Sequence, residues 1–178
     1  MKNVISALSV IVIMLSSCTS VRFESSQPQN TPVLTSFPKS MIGIYTDSEN
    51  DTLIISESSF QFGSEKSTLF QFKGSLLSEE VVFKVLNDYY VLSFKYEPNW
   101  WGVVIFKYTN KEIYAYYTAI EEDRESLAKK LKEIVDYQEI KDKNGKVEYF
   151  LINPTKKELE TLIESGVFST EISFKMIQ

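Results

Sequence analysis

The 178-residue sequence contains no histidine and a single cysteine, Cys18. Without histidine the chain lacks the side chain that most often serves as general base near neutral pH and as neutral metal ligand. One cysteine allows no disulfide within the chain, so the fold rests on its apolar core. Glycine and proline are sparse, at 6 and 5 residues. No glycine-rich phosphate-binding loop and no Gly-x-Ser-x-Gly turn occurs. Cations are the minority, with 19 Lys and Arg against 24 Asp and Glu. No basic stripe stands out, which excludes nucleic acid, whose affinity comes from neutralising phosphates. The apolar run from Val4 to Leu15 falls short of the roughly 20 residues that a membrane-spanning helix needs.

What is present begins at the N-terminus. Lys2, the run Val4 to Leu15 and the small residues Ser16 and Ser17 have the order of a secretory signal: a cation, an apolar core and a cut site. The ending Leu15-Ser16-Ser17-Cys18 resembles the lipobox of bacterial membrane lipoproteins, in which a branched apolar residue and two small residues precede cysteine. The resemblance covers residues 1–18. It implies a signal peptide over 1–17, cleavage before Cys18, a diacylglycerol on the Cys18 sulfur and often a further acyl group, such as palmitate, on the new amino end. It places the protein in the bacterial cell envelope, anchored by lipid. Thr19 is not the aspartate that marks inner-membrane retention in some lipoproteins, so the outer membrane is the expected destination. Losing residues 1–17 removes one cation, Lys2, and no acid, which moves the formal net charge from −5 to −6. Such a chain has little attraction for anionic lipid, and the acyl chains must do the anchoring.

Residues 18–39 read as the lipidated cysteine and a flexible tether. Thirteen of the 21 residues from 19 to 39 are Ser, Thr, Pro, Gln or Asn, too few apolar groups to offset the entropy of ordering. Residues 40–178 read as one β-rich domain without internal repeat. With 43% apolar and 13% aromatic residues, the chain carries enough apolar surface for one such core.

From Met41 to Ile120, short runs of Val, Ile, Phe and Tyr alternate with polar turns, the pattern of an antiparallel meander. Strands are expected near 41–46, 52–56, 58–63, 67–73, 80–86, 89–96, 102–108 and 111–119. The strands over 89–96 and 102–108 are apolar on both faces, so a second layer must cover them. Leu127, Ala128, Leu131 and Ile134 form one stripe of a helix over 122–134 that supplies this cover. A hairpin follows, 136–141 with 146–152, turned through Asn144-Gly145. Thr155 and Glu158 fit a capping box opening a second helix, Gly166 fits its left-handed stop, and 170–177 forms a last strand. The fold class is mainly β, a β-rich α+β meander closing into a barrel or a strongly curved sheet, with two helices near the C-terminus. Eight meandering strands with a helix outside resemble lipocalin-like barrels over residues 41–134, although Gly43-Ile44-Tyr45 stands where the lipocalin Gly-x-Trp signature would be. The segment Pro154 to Leu159 resembles endings of small uncharacterised lipoproteins. Neither likeness implies an activity.

Chemistry-bearing candidates are few. Ser36/Lys39 and Ser126/Lys129 have the Ser-x-x-Lys spacing but lack its partner motifs and read as solvated faces. Asp47, Glu49 and Asp51 crowd one loop; the helix-loop-helix calcium pattern needs Gly and Glu where Thr52 and Ser58 stand, so the loop reads as a solvated hairpin tip. Asp51-Thr52-Leu53 resembles a short bacterial O-glycosylation signal. A carboxylate-based hydrolase, working for example through Glu79 or Glu80 near an opening, is the weakest alternative. No cofactor and no metal site is expected.

Trp100 and Trp101 are the most informative pair. Adjacent strand residues face opposite ways, so one ring enters the core and the other stands at a rim, with Tyr45 and Tyr96 as neighbours. The expected function is a non-catalytic binding or structural domain on a membrane anchor, contacting another envelope protein through this rim. The alternative is a lipocalin-like carrier of a small apolar ligand.

Overall fold

The computed structural model describes residues 20–63, 72–96, 100–118 and 124–178. Cys18 and the signal segment lie outside them, as do the turns expected at 64–66 and 97–99, most of the strand expected at 67–73, and Glu121, Glu122 and Asp123, the acids expected to open the first helix. Among the described residues, twelve strands form one sheet with two helices. The strands are β1 (Ser20–Phe23), β2 (Gly43–Thr46), β3 (Thr52–Ile55), β4 (Ser59–Gly63), β5 (Phe72–Ser75), β6 (Val81–Leu86), β7 (Tyr89–Tyr96), β8 (Trp100–Thr109), β9 (Glu112–Thr118), β10 (Tyr137–Lys141), β11 (Val147–Ile152) and β12 (Phe168–Met176). Helices α1 (Arg124–Ile134) and α2 (Lys156–Glu164) flank the β10–β11 hairpin. The fold is the mainly β, two-helix, strongly curved sheet expected.

Pairing is consecutive within two meanders, β2 to β5 and β6 to β9, as short turns require. The turns place Asn87 and Asn110 at φ 52°, a residue type that tolerates positive φ, and carry Lys111 there too, at 63°. The last strand enters between the meanders, β9–β12–β2. Among the described residues no ladder joins β5 to β6, so the curved sheet does not close. Leu34 bridges to Phe83 on the free edge of β6.

β8 is where the sheet branches. Its full length to Phe106 pairs with β7, while its other side is shared between β9, from Val104 onward, and β1, where Phe23 meets Trp101. β1 then runs parallel to β11, Ser20 opposite Tyr149 through Phe23 opposite Ile152. The β10–β11–β1 flap thus extends the sheet beyond the barrel-like part.

The two-faced strands split two cores. Trp101, Val103 and Ile105 face the helices, with Val91, Phe23, Phe150 and the buried helix residues Leu127, Leu131, Leu159 and Leu162. Val104 and Phe106 face the concave interior, with Leu92, Phe94, Phe60, Phe83 and Phe174. Helix α2 starts with the complete Thr155–Glu158 capping box and is followed by Gly166 at φ 77°.

The flexible tether over 18–39 does not hold for its described part. Phe23 is fully buried between the sheet and the helices, and Phe37 is buried in the interior core. Gln27 is buried too, and its backbone N–H donates to Ser93 Oγ at 3.0 Å. Lys84, itself buried, donates from Nζ to the Pro28 carbonyl at 2.9 Å, and burial lowers its pKa from the ordinary lysine range. Polar composition misleads because the body of the domain, through Ser93 and Lys84, bonds backbone groups of Gln27 and Pro28 in place of water, although Gln27 Oε1 is buried without a hydrogen-bond partner among the described residues. The domain boundary therefore precedes Ser20, not residue 40.

Candidate functional site

The concave interior holds a cavity of about 170 Å³. Its wall is hydrocarbon from every side: Phe60, Phe62 and Phe72 from β4 and β5, Leu92 and Phe94 from β7, Val104 and Phe106 from β8, Ile113 and Ala115 from β9, Ile172 and Phe174 from β12. Ring pairs tie this wall together. Phe72 and Phe94 meet edge to face at 4.4 Å between centroids, Phe60 and Phe94 at 5.8 Å and Phe62 and Phe174 at 5.5 Å.

One end is plugged. Phe37 lines the cavity floor, Tyr45 donates its hydroxyl to the Met41 carbonyl at 2.7 Å, and the Tyr108 hydroxyl donates to the Ser40 carbonyl. Tyr45 is wholly buried; burial, reinforced by the neighbouring Tyr108, pushes its hydroxyl far above the ordinary tyrosine range.

The other end is a groove of about 400 Å³ whose lining includes Tyr96, Trp100, Gly102, Ser20 and Arg22. Phe62, Phe72, Phe94, Val104 and Tyr117 line both groove and cavity, so the groove is the mouth of the interior. Side-chain alternation along β8 puts positions 100, 102 and 104 on this face. On β1 it sends Val21 and Phe23 to the helix-covered core and leaves Arg22 on the groove side.

At the mouth the aromatic rings stack. Tyr96 and Trp100 lie 4.5 Å apart between centroids and 19° from parallel. The Arg22 guanidinium sits 4.0 Å from the Trp100 ring centre and 3.7 Å from that of Tyr149. Tyr96 keeps 41% exposure, and lost hydration at its hydroxyl raises its pKa above the ordinary value.

Of the four aromatic candidates, the structure brings two together. Tyr96 and Trp100 share the mouth. Trp101 lies on the opposite face, packed against the helix-side core. Tyr45 belongs to the plugged end: its strand parity is right for the interior, but its position along the barrel is not. Sequence reading missed Arg22 and Tyr149, for which the only available signal was the alternation Ser20-Val21-Arg22-Phe23. Cys18 lies outside the described residues.

The remaining candidates lie apart from this site. Asp47 Oδ1 accepts the backbone N–H groups of Glu49 and Asp51, both at 2.9 Å, so its carboxylate organises its own loop. Glu79 and Glu80 are exposed in the turn before β6, and neither lines the cavity or its mouth. Ser126 and Lys129 are exposed on α1, as are Ser36 and Lys39 ahead of β2. Among the described residues no helix is long and apolar enough to cross a membrane.

No family model matches the chain, and neither a curated protein nor a solved structure matches it.

Proposed function

We propose that the chain is a lipid-anchored envelope protein whose domain is a non-catalytic binding module, and that its ligand is small and apolar. The observation that carries this is the hydrocarbon cavity of about 170 Å³ beneath an aromatic mouth. An apolar void near 150 Å³ stays dry and accepts a benzene-sized guest. Space of this kind in a domain otherwise packed with phenylalanine loses dispersion contacts that a guest restores. The anchor follows from the lipobox ending at Cys18. Two residues span about 7 Å at most, so an acylated Cys18 holds Ser20, and with it the mouth that Ser20 lines, beside the bilayer surface. An outer-membrane location is part of the same proposal.

Two experiments test the two halves. Metabolic labelling with a fatty acid should mark the wild-type protein and not the Cys18→Ala variant; an unlabelled wild type removes the anchor. Organic extraction of the purified mature protein, followed by mass spectrometry, should recover a small apolar compound. Val104→Phe, which projects a ring into the cavity, should abolish that recovery; equal recovery from both proteins removes the carrier reading. The exposed Tyr96, stacked on the partly buried Trp100, favours the second reading, contact with an envelope protein, since rigid aromatic rings at low entropic cost dominate interfaces. Capture that depends on Trp100 and survives Val104→Phe would distinguish it.

A further inference from the structure

The mouth carries one feature that an apolar ligand alone leaves unused. Arg22 is held by the faces of Trp100 and Tyr149, and among the described residues no carboxylate pairs with it. A guanidinium packed against two aromatic rings keeps its N–H donors in one plane and in a fixed fork. That fork matches the two oxygens of a carboxylate. The rings hold it in place, so little side-chain entropy remains to be lost on binding.

Resting on the carrier reading, we infer that the ligand is a single-chain amphiphile with a carboxylate head. The head binds the Arg22 edge at the mouth, and the hydrocarbon tail passes Phe62, Phe94 and Val104, which line groove and cavity alike. One cation suits one negative charge. The surplus of acids in the chain works against ligands of higher negative charge, because the field of the whole protein repels them.

The test uses the mature chain 18–178 with Cys18→Ser, which keeps every described residue and carries no acyl chain of its own. Saturated carboxylic acids of increasing chain length, the matching alcohols and the matching alkyl phosphates are titrated, with tryptophan fluorescence as readout. The acid should bind about tenfold tighter than the alcohol of equal length, as expected for a charge-assisted hydrogen-bonded pair. Arg22→Gln should erase that preference, leaving acid and alcohol of equal length bound alike. In the wild type the preference should also vanish as pH falls through the acid's own titration, a readout that does not depend on how the variant folds. Equal binding of acid and alcohol overturns the inference and leaves the carrier reading standing. An alkyl phosphate that binds tighter than the acid overturns the carboxylate assignment. Binding of none of the three classes at any chain length overturns both readings.

Discussion

The Tyr96 ring occupies the space that a side chain at position 102 would fill: a Cβ on Gly102 would stand 2.9 Å from Tyr96 Cε2. A ring laid over a glycine of the neighbouring strand shields its backbone and fixes its own orientation. Here it also fixes the partner of Trp100. Gly102→Ala should push the half-exposed Tyr96 aside, because the obstructing atom is the free end of a mobile side chain. We expect a change in stability within about 0.5 kcal/mol, the surface range, together with altered tryptophan emission. Gly74 provides the contrast. A Cβ there would meet Phe60 Cζ at 2.6 Å and Val81 Cγ2 at 3.0 Å, both on buried residues. Gly74→Ala should cost about 1–3 kcal/mol, as overpacking does; thermal melts of the two variants compare them directly.

Removing the stretch before residue 40 should destroy the fold rather than release a free domain. β1 supplies the parallel partner of β11, and Phe23, Phe37 and the bridge at Leu34 go with it. Chain 40–178 should show no cooperative melt and should bind a dye for exposed apolar surface, whereas chain 18–178 should melt in one transition. A cooperative melt of the shorter chain would show that β1 is dispensable.

Much of this architecture was legible from residue pattern. Two-faced apolarity in β7 and β8 required a second layer, and the stripe of Leu127 and Leu131 provided it. Thr155, Glu158 and Gly166 fixed the bounds of α2 through local chemistry. What was illegible is non-local. β1 is four residues long, too short for periodicity to show, and its partner Tyr149 lies 129 positions from Ser20. Nothing near Phe168 announces that β12 inserts between β9 and β2. Tyr45 shows the same limit at the site. Its face was readable from strand parity, but which end of the barrel it serves depends on topology.

Helix α1 should contribute through its buried stripe. Leu131 is fully buried between α1 and the sheet. Leu131→Ala should cost about 2–5 kcal/mol in denaturant unfolding, the range for core leucine truncation, while Lys132→Ala on the exposed side should change little.

Tyr45 gives a pH prediction. Its folded-state pKa is raised above the ordinary value by burial first and by Tyr108 second. A group raised in this way contributes stability fully below its unfolded pKa, near 10, and loses it as pH climbs above that value toward the folded pKa. The wild type should therefore lose stability above about pH 10, the unfolded tyrosine value. Tyr45→Phe should be weaker at neutral pH by about 0.5–1.5 kcal/mol for the lost bond to the Met41 carbonyl, and its alkaline decline should be shallower. Parallel alkaline curves for the two proteins would contradict the role of the Tyr45 hydroxyl.

The adjacent tryptophans should separate folding from binding. Trp101 packs against the core between sheet and helices and lies opposite Phe23 in the β1–β8 pairing. Trp101→Ala should cost about 3 kcal/mol or more, near the lower end for large aromatic truncations because the ring is only partly buried. Trp100 faces the groove, stacked on Tyr96 and beneath Arg22. Its truncation removes a cation–π contact of roughly 0.5–1 kcal/mol at such a partly exposed site and one ring stack of similar size, so the melting curve should move only slightly. Ligand retention should fall instead, because the ring that orients Arg22 and narrows the mouth is gone. The measurement is a pair of melts alongside a pair of ligand titrations on the same two proteins. If Trp100→Ala unfolds the domain as readily as Trp101→Ala, the stack at the mouth is a structural brace and the binding site must be sought elsewhere. A stable Trp100→Ala protein that holds ligand as tightly as the wild type would show that the cavity alone determines affinity and that the rim serves only as an entrance.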